Sequence, residues 1–325
     1  MQGRILGVAL ERLGHSVIYY DFAYRKHLSD CKDMLGIMLH QGRDETIKHL
    51  KSLKAFHYLR KQITITKKIK DIDCVILGSD TIWDISRKHI QKNSDVLWGN
   101  VFDKVKIITY AGSIGNTPKE LLKHKKNIEN TVSKWAAISV RDSNTKDAIS
   151  QFTNAKIFTV CDPTLLLKKK DYEQMIGDPI DSDYIFLYLF KDLSYEQSEE
   201  LKAFAKNKKM KIIRGVNGVT NKAADFSVEN SPLLFLQHML AAKYVITDTF
   251  HGTIFSINLN KQFVAIDRGK NKVNDAIRFF RFEDRLITND LPFVETLTFP
   301  IAYEERMASV DMIRDASWSY LETSI

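Results

Sequence analysis

The sequence predicts an α/β fold made of two domains with mostly parallel sheets. Two observations carry this prediction. Short β-branched runs alternate with helical segments along the chain, which is the pattern of strand–helix units on a parallel sheet. The 325 residues, of which 44% are hydrophobic and 27% are charged, exceed one typical domain and are enough to bury two cores.

The order of the elements predicts where the two domains divide. Strands are expected near 16–20, 74–77, 106–111, 137–140, 156–160, 184–190, 210–213, 244–247 and 263–267. A capping box at Thr117–Glu120 predicts a helix that runs toward Trp135. Asp162–Thr164 breaks the periodicity and predicts the connection. We expect an N-terminal domain over 1–165, a C-terminal domain over 166–305 and a final helix over 306–325, able to cross back.

Charge and cysteine content limit the functional classes. The 48 basic and 40 acidic residues give a net charge of +8, which favours phosphorylated substrates, acidic glycans, nucleic acid or a membrane surface without choosing among them. Cys31, Cys74 and Cys161 are too widely spaced for a zinc site or a disulfide framework, so we expect buried free thiols. With no apolar run of about 18 residues and no signal-peptide profile, the sequence predicts a cytoplasmic protein.

A basic segment over 46–70 allows a peripheral contact with the inner face of a membrane. Apolar residues recur there at nearly helical spacing among many lysines and arginines. A basic amphipathic helix of this kind binds anionic lipid in some proteins. The alternative is a helix packed on its own domain with a solvated basic face.

The most informative motif is Asp248–Gly252, which lies between an apolar strand and an amphipathic segment. This pattern places His251 at a helix start on the carboxyl edge of a parallel sheet, where ligands bind and where a helix N-terminus attracts anions. His251 is therefore a candidate general acid or base, and Gly252 allows a ligand to approach the backbone. The alternative is a histidine satisfied within the core.

Three other strand ends carry polar residues. Ser79 and Asp80 follow the run at 74–77, and Asp80 could accept a hydrogen bond from a sugar hydroxyl or cap the next helix. Ser113 lies in a small-residue loop suited to an anion. Arg141 leaves its strand where its planar fork can bind a carboxylate or phosphate, or pair with Asp142 or Asp162. Trp83 could stack on a sugar or belong to the core.

The common nucleotide, hydrolase and zinc motifs are absent from the sequence. No Gly-x-Gly-x-x-Gly, Walker loop, Gly-x-Ser-x-Gly or His-Glu-x-x-His pattern occurs. Instead, five segments in this order resemble the polysaccharide pyruvyl transferase family: Val75–Trp83, Tyr110–Gly115, Ile138–Asp142, Cys161–Leu166 and Thr247–Ser256. The resemblance extends over most of residues 1–290. It implies two Rossmann-like domains arranged as in GT-B glycosyltransferases, and transfer of pyruvate from phosphoenolpyruvate to a glycan as a cyclic ketal.

The resemblance also implies roles for these residues. His251 transfers a proton, and Asp80 positions or deprotonates an acceptor hydroxyl. Arg141 binds the phosphoenolpyruvate anion, and the remaining substrate-binding candidates are Ser79, Trp83, Ser113, Gly252, Arg268 and Arg278. Donor and acceptor would meet in the cleft between the domains. Phosphoenolpyruvate and a glycan or lipid-linked oligosaccharide are the expected partners, and no nucleic acid or cofactor is expected. No metal is expected either, because cationic side chains act as the clamps.

The chain departs from the family pattern at its start. Family members usually begin with a strand and a turn before the helix that Gly3–Leu13 resembles, so we expect the first strand of the N-terminal sheet to be missing. Two other functions therefore stay open. One is a GT-B nucleotide-sugar glycosyltransferase, since fold alone does not settle function. The other is an inactive glycan-binding or assembly protein.

Overall fold

The computed structural model describes most of the chain. The residues outside the description are 21–46, 48–49, 52, 55–57, 59–60, 62, 67, 116, 119, 121, 123–126, 177–183, 216–222, 229–230, 270 and 289–290. Cys31, much of the basic segment over 46–70 and part of the predicted helix start at Thr117–Glu120 thus lie outside the described residues.

The described residues form two compact units. The first unit takes its described residues from Met1–Tyr24, Ile63–Leu167 and Asp311–Ile325, and the second takes those of Arg25–Gln62 and Lys168–Val310. One of the points where the chain passes from one unit to the other lies between Leu167 and Lys168, close to the change of periodicity at Asp162–Thr164.

In the first unit a separate parallel pair joins β1 Tyr19–Tyr20 to β2 Ile65–Thr66. The other strands, β3 Cys74–Asp80, β4 Lys106–Gly112, β5 Trp135–Val140 and β6 Ile157–Thr159, form a four-stranded parallel sheet in the order β3-β4-β5-β6. The α-helices are Gln2–Arg12, Lys88–Lys92, Ser94–Leu97, Ile128–Val132 and Ser143–Ile149. Asp80 pairs with Gly112, and Gly112 with Val140, so three carboxyl ends lie side by side.

Three tryptophans form the centre of the first unit's core. The ring centroids of Trp83 and Trp135 are 5.1 Å apart, and Trp98 lies 5.3 Å from Trp83 and 5.8 Å from Trp135. The indole nitrogen of Trp83 donates to the carbonyl of Leu97 at 3.1 Å, so its polar atom is satisfied inside the core. A Cβ at Gly112 would overlap the Trp83 ring, which explains why β4 ends in a residue without a side chain.

The C-terminal helix spans Tyr303–Ser324, and its part from Asp311 onward belongs to the first unit. Arg314 Nε donates to the carbonyl of Leu165 at 2.5 Å, and Trp318 Nε1 donates to that of Leu166 at 3.2 Å. Ser317 Oγ accepts from the amide of Cys161 at 2.8 Å. The helix therefore satisfies buried backbone groups of the segment that ends the unit.

The strands of the second unit are β7 Tyr184–Tyr188, β8 Lys211–Arg214, β9 Phe226–Ser227, β10 Tyr244–Thr247, β11 Gln262–Asp267 and β12 Leu286–Thr288. They form a six-stranded parallel sheet in the order β12-β11-β10-β7-β8-β9. Its α-helices are Lys169–Ile176, Tyr195–Lys208, Pro232–Ala241, Phe250–Asn258, Asn271–Phe279 and Val294–Thr298. The central strands are buried, as expected for a parallel sheet with helices on its faces.

The predicted fold class is confirmed: both units are α/β with parallel, Rossmann-like sheets. The strands predicted from 74 onward all coincide with observed strands. Strand β1 is shorter than the run at 16–20, and three strands of two or three residues, β2, β9 and β12, were not predicted. The hydroxyl of Thr117 donates to Asp84 Oδ1 at 3.0 Å, and the helix predicted from Thr117–Glu120 lies partly outside the described residues. Among the described residues, no helix is long and apolar enough to cross a membrane.

Candidate active site

His251 lies in the first turn of a helix at the carboxyl end of β10, where the sequence predicts it. Thr249 has extended backbone and caps this helix, because its hydroxyl accepts from the amide of Gly252 at 2.9 Å. The helix begins at Phe250, and His251 is half-buried beside that ring, 5.3 Å between centroids. The imidazole is therefore held by a capped helix end whose dipole favours negative charge nearby.

Gly252 leaves room for the side chains of two threonines, Thr247 and Thr249. Its amide is used by Thr249, and a Cβ at this position would overlap Thr247 Oγ1. That Thr247 hydroxyl donates to the carbonyl of Tyr188 at 2.8 Å and accepts from the amide of Thr249 at 3.1 Å. The missing side chain makes room for the hydroxyl that joins β10 to β7. That Gly252 also lets a ligand approach the backbone stays a prediction.

Asp248 is a buried carboxylate that the sequence analysis did not assign. Its side chain has no exposed surface, and its two oxygens accept from the amides of Phe190 at 2.7 Å and Lys191 at 3.1 Å. Arg268 Nε lies 3.8 Å from Asp248 Oδ2. Asp248 thus fixes the loop after β7 against the start of the His251 helix.

The two downstream arginines occupy different places. The guanidinium of Arg268 is held by the protein, since Nη2 donates to the carbonyl of Asp192 at 2.8 Å while Nε faces Asp248. Arg278 is exposed in the last turn of the helix Asn271–Phe279. No described contact joins Arg278 to His251, so its assignment to the same anion stays a prediction.

Asp80 ends β3 in the first unit and has a partly exposed carboxylate. Its side chain is 46% exposed, its backbone has a φ of 75°, and its Oδ1 accepts from Arg141 Nη2 at 3.4 Å. The carbonyl of Asp80 accepts from the amide of Ser113 at 3.0 Å. Asp80 is not seen to cap a helix, so its carboxylate is directed to Arg141 and to solvent.

The guanidinium of Arg141 contacts two carboxylates, one more closely than the other. Its side chain is 7% exposed, and Nη1 donates to Asp162 Oδ2 at 2.8 Å while Nη2 reaches Asp80 at 3.4 Å. Burial lowers the pKa of Arg141, but the charges of Asp162 and Asp80 outweigh it, so the pKa is raised above its ordinary value. Asp162 also accepts from Thr164 Oγ1 at 2.7 Å and Gln2 Nε2 at 2.5 Å, which makes it a fixed anchor.

Three other candidates in the first unit are buried. Trp83 has no exposed surface and belongs to the tryptophan cluster, so it offers no face to a sugar; this corrects the stacking role. Ser113 is also fully buried, and its hydroxyl accepts from the amide of Gly115 at 3.1 Å, so the loop is closed on itself rather than open to an anion. Ser79 is 8% exposed, and its Oγ has no hydrogen-bond partner among the described residues.

Metal ligands are not clustered in the part of the chain that the structure describes. No group of three or more histidine, cysteine, aspartate or glutamate side chains is placed there to hold an ion. What the described residues offer is an imidazole at a helix start in the second unit, and a carboxylate–guanidinium pair in the first. These groups can transfer protons, bind hydroxyls and bind anions.

The chain has the fold of a class of proteins, the two-unit, GT-B-like proteins. UDP-GlcNAc 2-epimerase from Neisseria meningitidis, solved bound to UDP-GlcNAc, superimposes with a TM-score of 0.54 at 13% identity, over 99% of this chain and 97% of that one. The same epimerase from Methanocaldococcus jannaschii gives a TM-score of 0.49 at 12% identity, over 96% of this chain and 89% of that one. At such identities the likeness concerns the fold alone.

The chain belongs to the polysaccharide pyruvyl transferase family, whose model matches residues 19–270. The resemblance inferred from the five motifs is thereby confirmed, and the protein is an enzyme of the transferase class. The family acts, in general terms, with a pyruvate donor and a glycan acceptor. No protein with a curated description matches the chain.

Proposed function

We propose that this protein transfers pyruvate from phosphoenolpyruvate onto two hydroxyls of a glycan sugar, forming a cyclic ketal and releasing phosphate, in the synthesis of a surface or capsular polysaccharide. The observation that carries the proposal is the position of His251, within the matched family segment and in the first turn of a capped helix at a sheet's carboxyl edge. This is the place where α/β proteins bind phosphorylated ligands.

The reaction requires one proton to be delivered and two to be removed. The methylene carbon of phosphoenolpyruvate gains a proton and becomes a methyl group, and the adjacent carbon acquires cationic character. Two hydroxyl oxygens form bonds to that carbon while its bond to the phosphate oxygen breaks. Of the two hydroxyl protons, one balances the proton given to the methyl group and the other leaves with phosphate.

His251 is the group we assign to protonation of the methylene carbon. An imidazole has an unperturbed pKa near neutrality, so it can hold and release a proton at physiological pH. The second unit presents it half-buried at a helix start, where the dipole attracts the negative charge of the donor.

Asp80 and Arg141 are the groups we assign in the first unit. Asp80 accepts a proton or a hydrogen bond from an acceptor hydroxyl, because its carboxylate is partly exposed. Arg141 binds the carboxylate or phosphate of the donor. Asp162 holds Nη1 at 2.8 Å, whereas the contact from Nη2 to Asp80 is longer, 3.4 Å, so Nη2 is the nitrogen that an incoming anion takes over.

The test is acceptor-dependent phosphate release from phosphoenolpyruvate by the purified full chain. The product is identified by its gain of one pyruvyl group in mass and by the methyl signal of the ketal in proton NMR. His251→Ala is expected to lower turnover about 100-fold or more, the scale of losing a general acid or base. The folded state of the variant is checked by circular dichroism.

Three results would count against the proposal. Release of nucleotide from a nucleotide sugar, without consumption of phosphoenolpyruvate, would identify a glycosyltransferase instead. Glycan binding with no turnover of either donor would identify a binding protein. Turnover by folded His251→Ala close to that of the wild type would remove His251 from the proton-transfer role.

A further inference from the structure

A cavity of about 270 Å³ lies in the second unit at the start of the helix Tyr195–Lys208. Its lining residues are Asp192, Leu193, Tyr195, Ser198, Glu199 and Lys202. The last four lie at i, i+3, i+4 and i+7 of the helix, so they form one continuous face. Neither the family motifs nor the reaction uses this face.

The lining combines an exposed aromatic ring with hydrogen-bonding groups. Tyr195 is 76% exposed, which is unusual for a large aromatic side chain, whereas Leu193 and Ser198 are buried and form the floor. Lys202 Nζ donates to Glu199 Oε1 at 2.9 Å, and this ion pair lies at the rim. An aromatic face beside carboxylate, hydroxyl and ammonium groups matches the apolar face and the hydroxyls of a sugar ring.

Charge and size argue for a neutral sugar rather than a phosphate. The charged lining residues are two acidic ones, Asp192 and Glu199, and one basic one, Lys202, which is already paired with Glu199, so the lining does not favour an anion. The helix start is occupied by its own capping box, in which Ser194 Oγ accepts from the amide of Gln197 at 3.2 Å. The volume is below the range of about 300–1,000 Å³ that holds drug-sized ligands, which suits a single sugar ring.

Arg268 connects the rim of the cavity with the motif that carries His251. Arg268 Nη2 donates to the carbonyl of Asp192 at 2.8 Å, and Arg268 Nε lies 3.8 Å from the carboxylate of Asp248. Asp248 in turn accepts from the amides of Phe190 and Lys191, in the loop that leads to the cavity. Hydrogen bonds and one ion pair therefore join the cavity to Asp248, which begins the motif that carries His251.

We propose that this cavity binds a sugar of the glycan acceptor other than the sugar that receives pyruvate, with Tyr195 as its stacking platform. The assignment to the acceptor rests on the proposed function; the assignment to a sugar rests on the lining. A polysaccharide enzyme that also binds a neighbouring sugar selects for the chain rather than for an isolated monosaccharide.

The experiment compares glycan binding by the full-length wild type, Tyr195→Ala, Glu199→Gln and Phe279→Ala. Each is applied to a microarray of bacterial surface oligosaccharides, and the tetrasaccharide bound best is then titrated by calorimetry beside its terminal monosaccharide. Phe279 is the matched control, since it is also an exposed aromatic residue, 52% exposed, and lies outside the cavity. Glu199→Gln keeps the size of the side chain and removes its charge.

We expect Tyr195→Ala to weaken tetrasaccharide binding about tenfold, and more than it weakens monosaccharide binding, while Phe279→Ala binds like the wild type. Glu199→Gln should also weaken the tetrasaccharide. A wild type that binds no glycan on the array, or a folded Tyr195→Ala that binds the tetrasaccharide as tightly as the wild type, would overturn the proposal.

Phosphate release separates this proposal from the proposed function. If glycan binding depends on Tyr195 but phosphoenolpyruvate is never consumed, the cavity binds a sugar and the proposed transfer reaction is wrong. If phosphate release is acceptor-dependent but no glycan binding depends on Tyr195, the transfer reaction stands and the cavity proposal is wrong.

Discussion

Arg141 shows how one guanidinium can be anchored by one carboxylate and shared with another. Its Nη1 is fixed by Asp162, a buried carboxylate with four hydrogen-bonding groups around it. Its Nη2 makes the longer contact to Asp80. A planar fork can do both at once, but the single ammonium of lysine cannot.

We therefore expect Arg141→Lys to raise the dissociation constant of phosphoenolpyruvate about tenfold, measured by calorimetry on the folded variant. Arg87→Lys is the matched control, because Arg87 also pairs with a buried carboxylate, Asp84, at 3.0 Å but has no proposed substrate role. A phosphoenolpyruvate affinity equal to that of the wild type would exclude Arg141 from donor binding.

Asp84 predicts a pH dependence of stability. Burial raises the pKa of this carboxyl, but hydrogen bonds from Ser86 and Thr117 and the charge of Arg87 outweigh burial, and the pKa lies below its ordinary value. The ionised form is therefore favoured in the folded state. The stabilisation that ionised Asp84 provides is complete above the pKa of this carboxyl in the unfolded chain, near 3.9. It is lost as the pH falls through the lower pKa of the same carboxyl in the folded protein.

Asp84→Asn should lower the free energy of unfolding by about 1–3 kcal/mol at neutral pH, since an amide cannot satisfy the donors of Ser86, Thr117 and Arg87 together. Urea unfolding between about pH 7 and pH 3 should show the difference from the wild type shrinking at the acid end. Asp103→Asn, at an exposed position, is the control and should change little. A difference that is constant with pH would contradict the ionised role.

At the scale of elements, the joint between β10 and the His251 helix depends on a glycine. A Cβ at Gly252 would overlap Thr247 Oγ1 and approach Thr249 Oγ1. These two hydroxyls hold β10 to β7 and cap the helix. A methyl group here must therefore displace the cap that positions His251.

Gly252→Ala should destabilise the protein by about 1–3 kcal/mol, the usual cost of overpacking, with the melting temperature as the measurement. Gly3→Ala is the control, since Gly3 is also helical and the Cβ would lie 3.9 Å from its nearest neighbour. If overlap with the Thr247 hydroxyl is the cause, Gly252→Ala should lower stability less in a protein that also carries Thr247→Ala. An equal loss of stability in the two backgrounds would show that this overlap is not the cause.

At the scale of the whole molecule, local sequence patterns predicted the secondary-structure elements and the strand ends where polar residues follow. His251, Asp80 and Arg141 all lie at strand ends, because an apolar run followed by polar residues is a signal of local sequence. The partners that decide their chemistry are distant in sequence. Asp248 binds amides 58 and 57 residues away, and nothing near it in the chain predicts this.

The burial of these side chains was predicted less well than their position at strand ends, because burial also depends on residues that are distant in sequence. Trp83 follows Asp80 closely and shares its loop, yet it is fully buried because Trp98 and Trp135 pack against it. Ser113 is likewise buried within a loop that local composition marks as open. Whether a side chain at a strand end faces a ligand or the core depends on contacts that only the folded chain supplies.

The tryptophan cluster also has an optical consequence. The chain has four tryptophans, Trp83, Trp98, Trp135 and Trp318, and all four belong to the first unit. Three of them are stacked closely enough for their excited states to couple. Tryptophan fluorescence and the indole bands of near-ultraviolet circular dichroism therefore report on the unit that carries Asp80 and Arg141. The unit that carries His251 has no tryptophan and contributes through tyrosine.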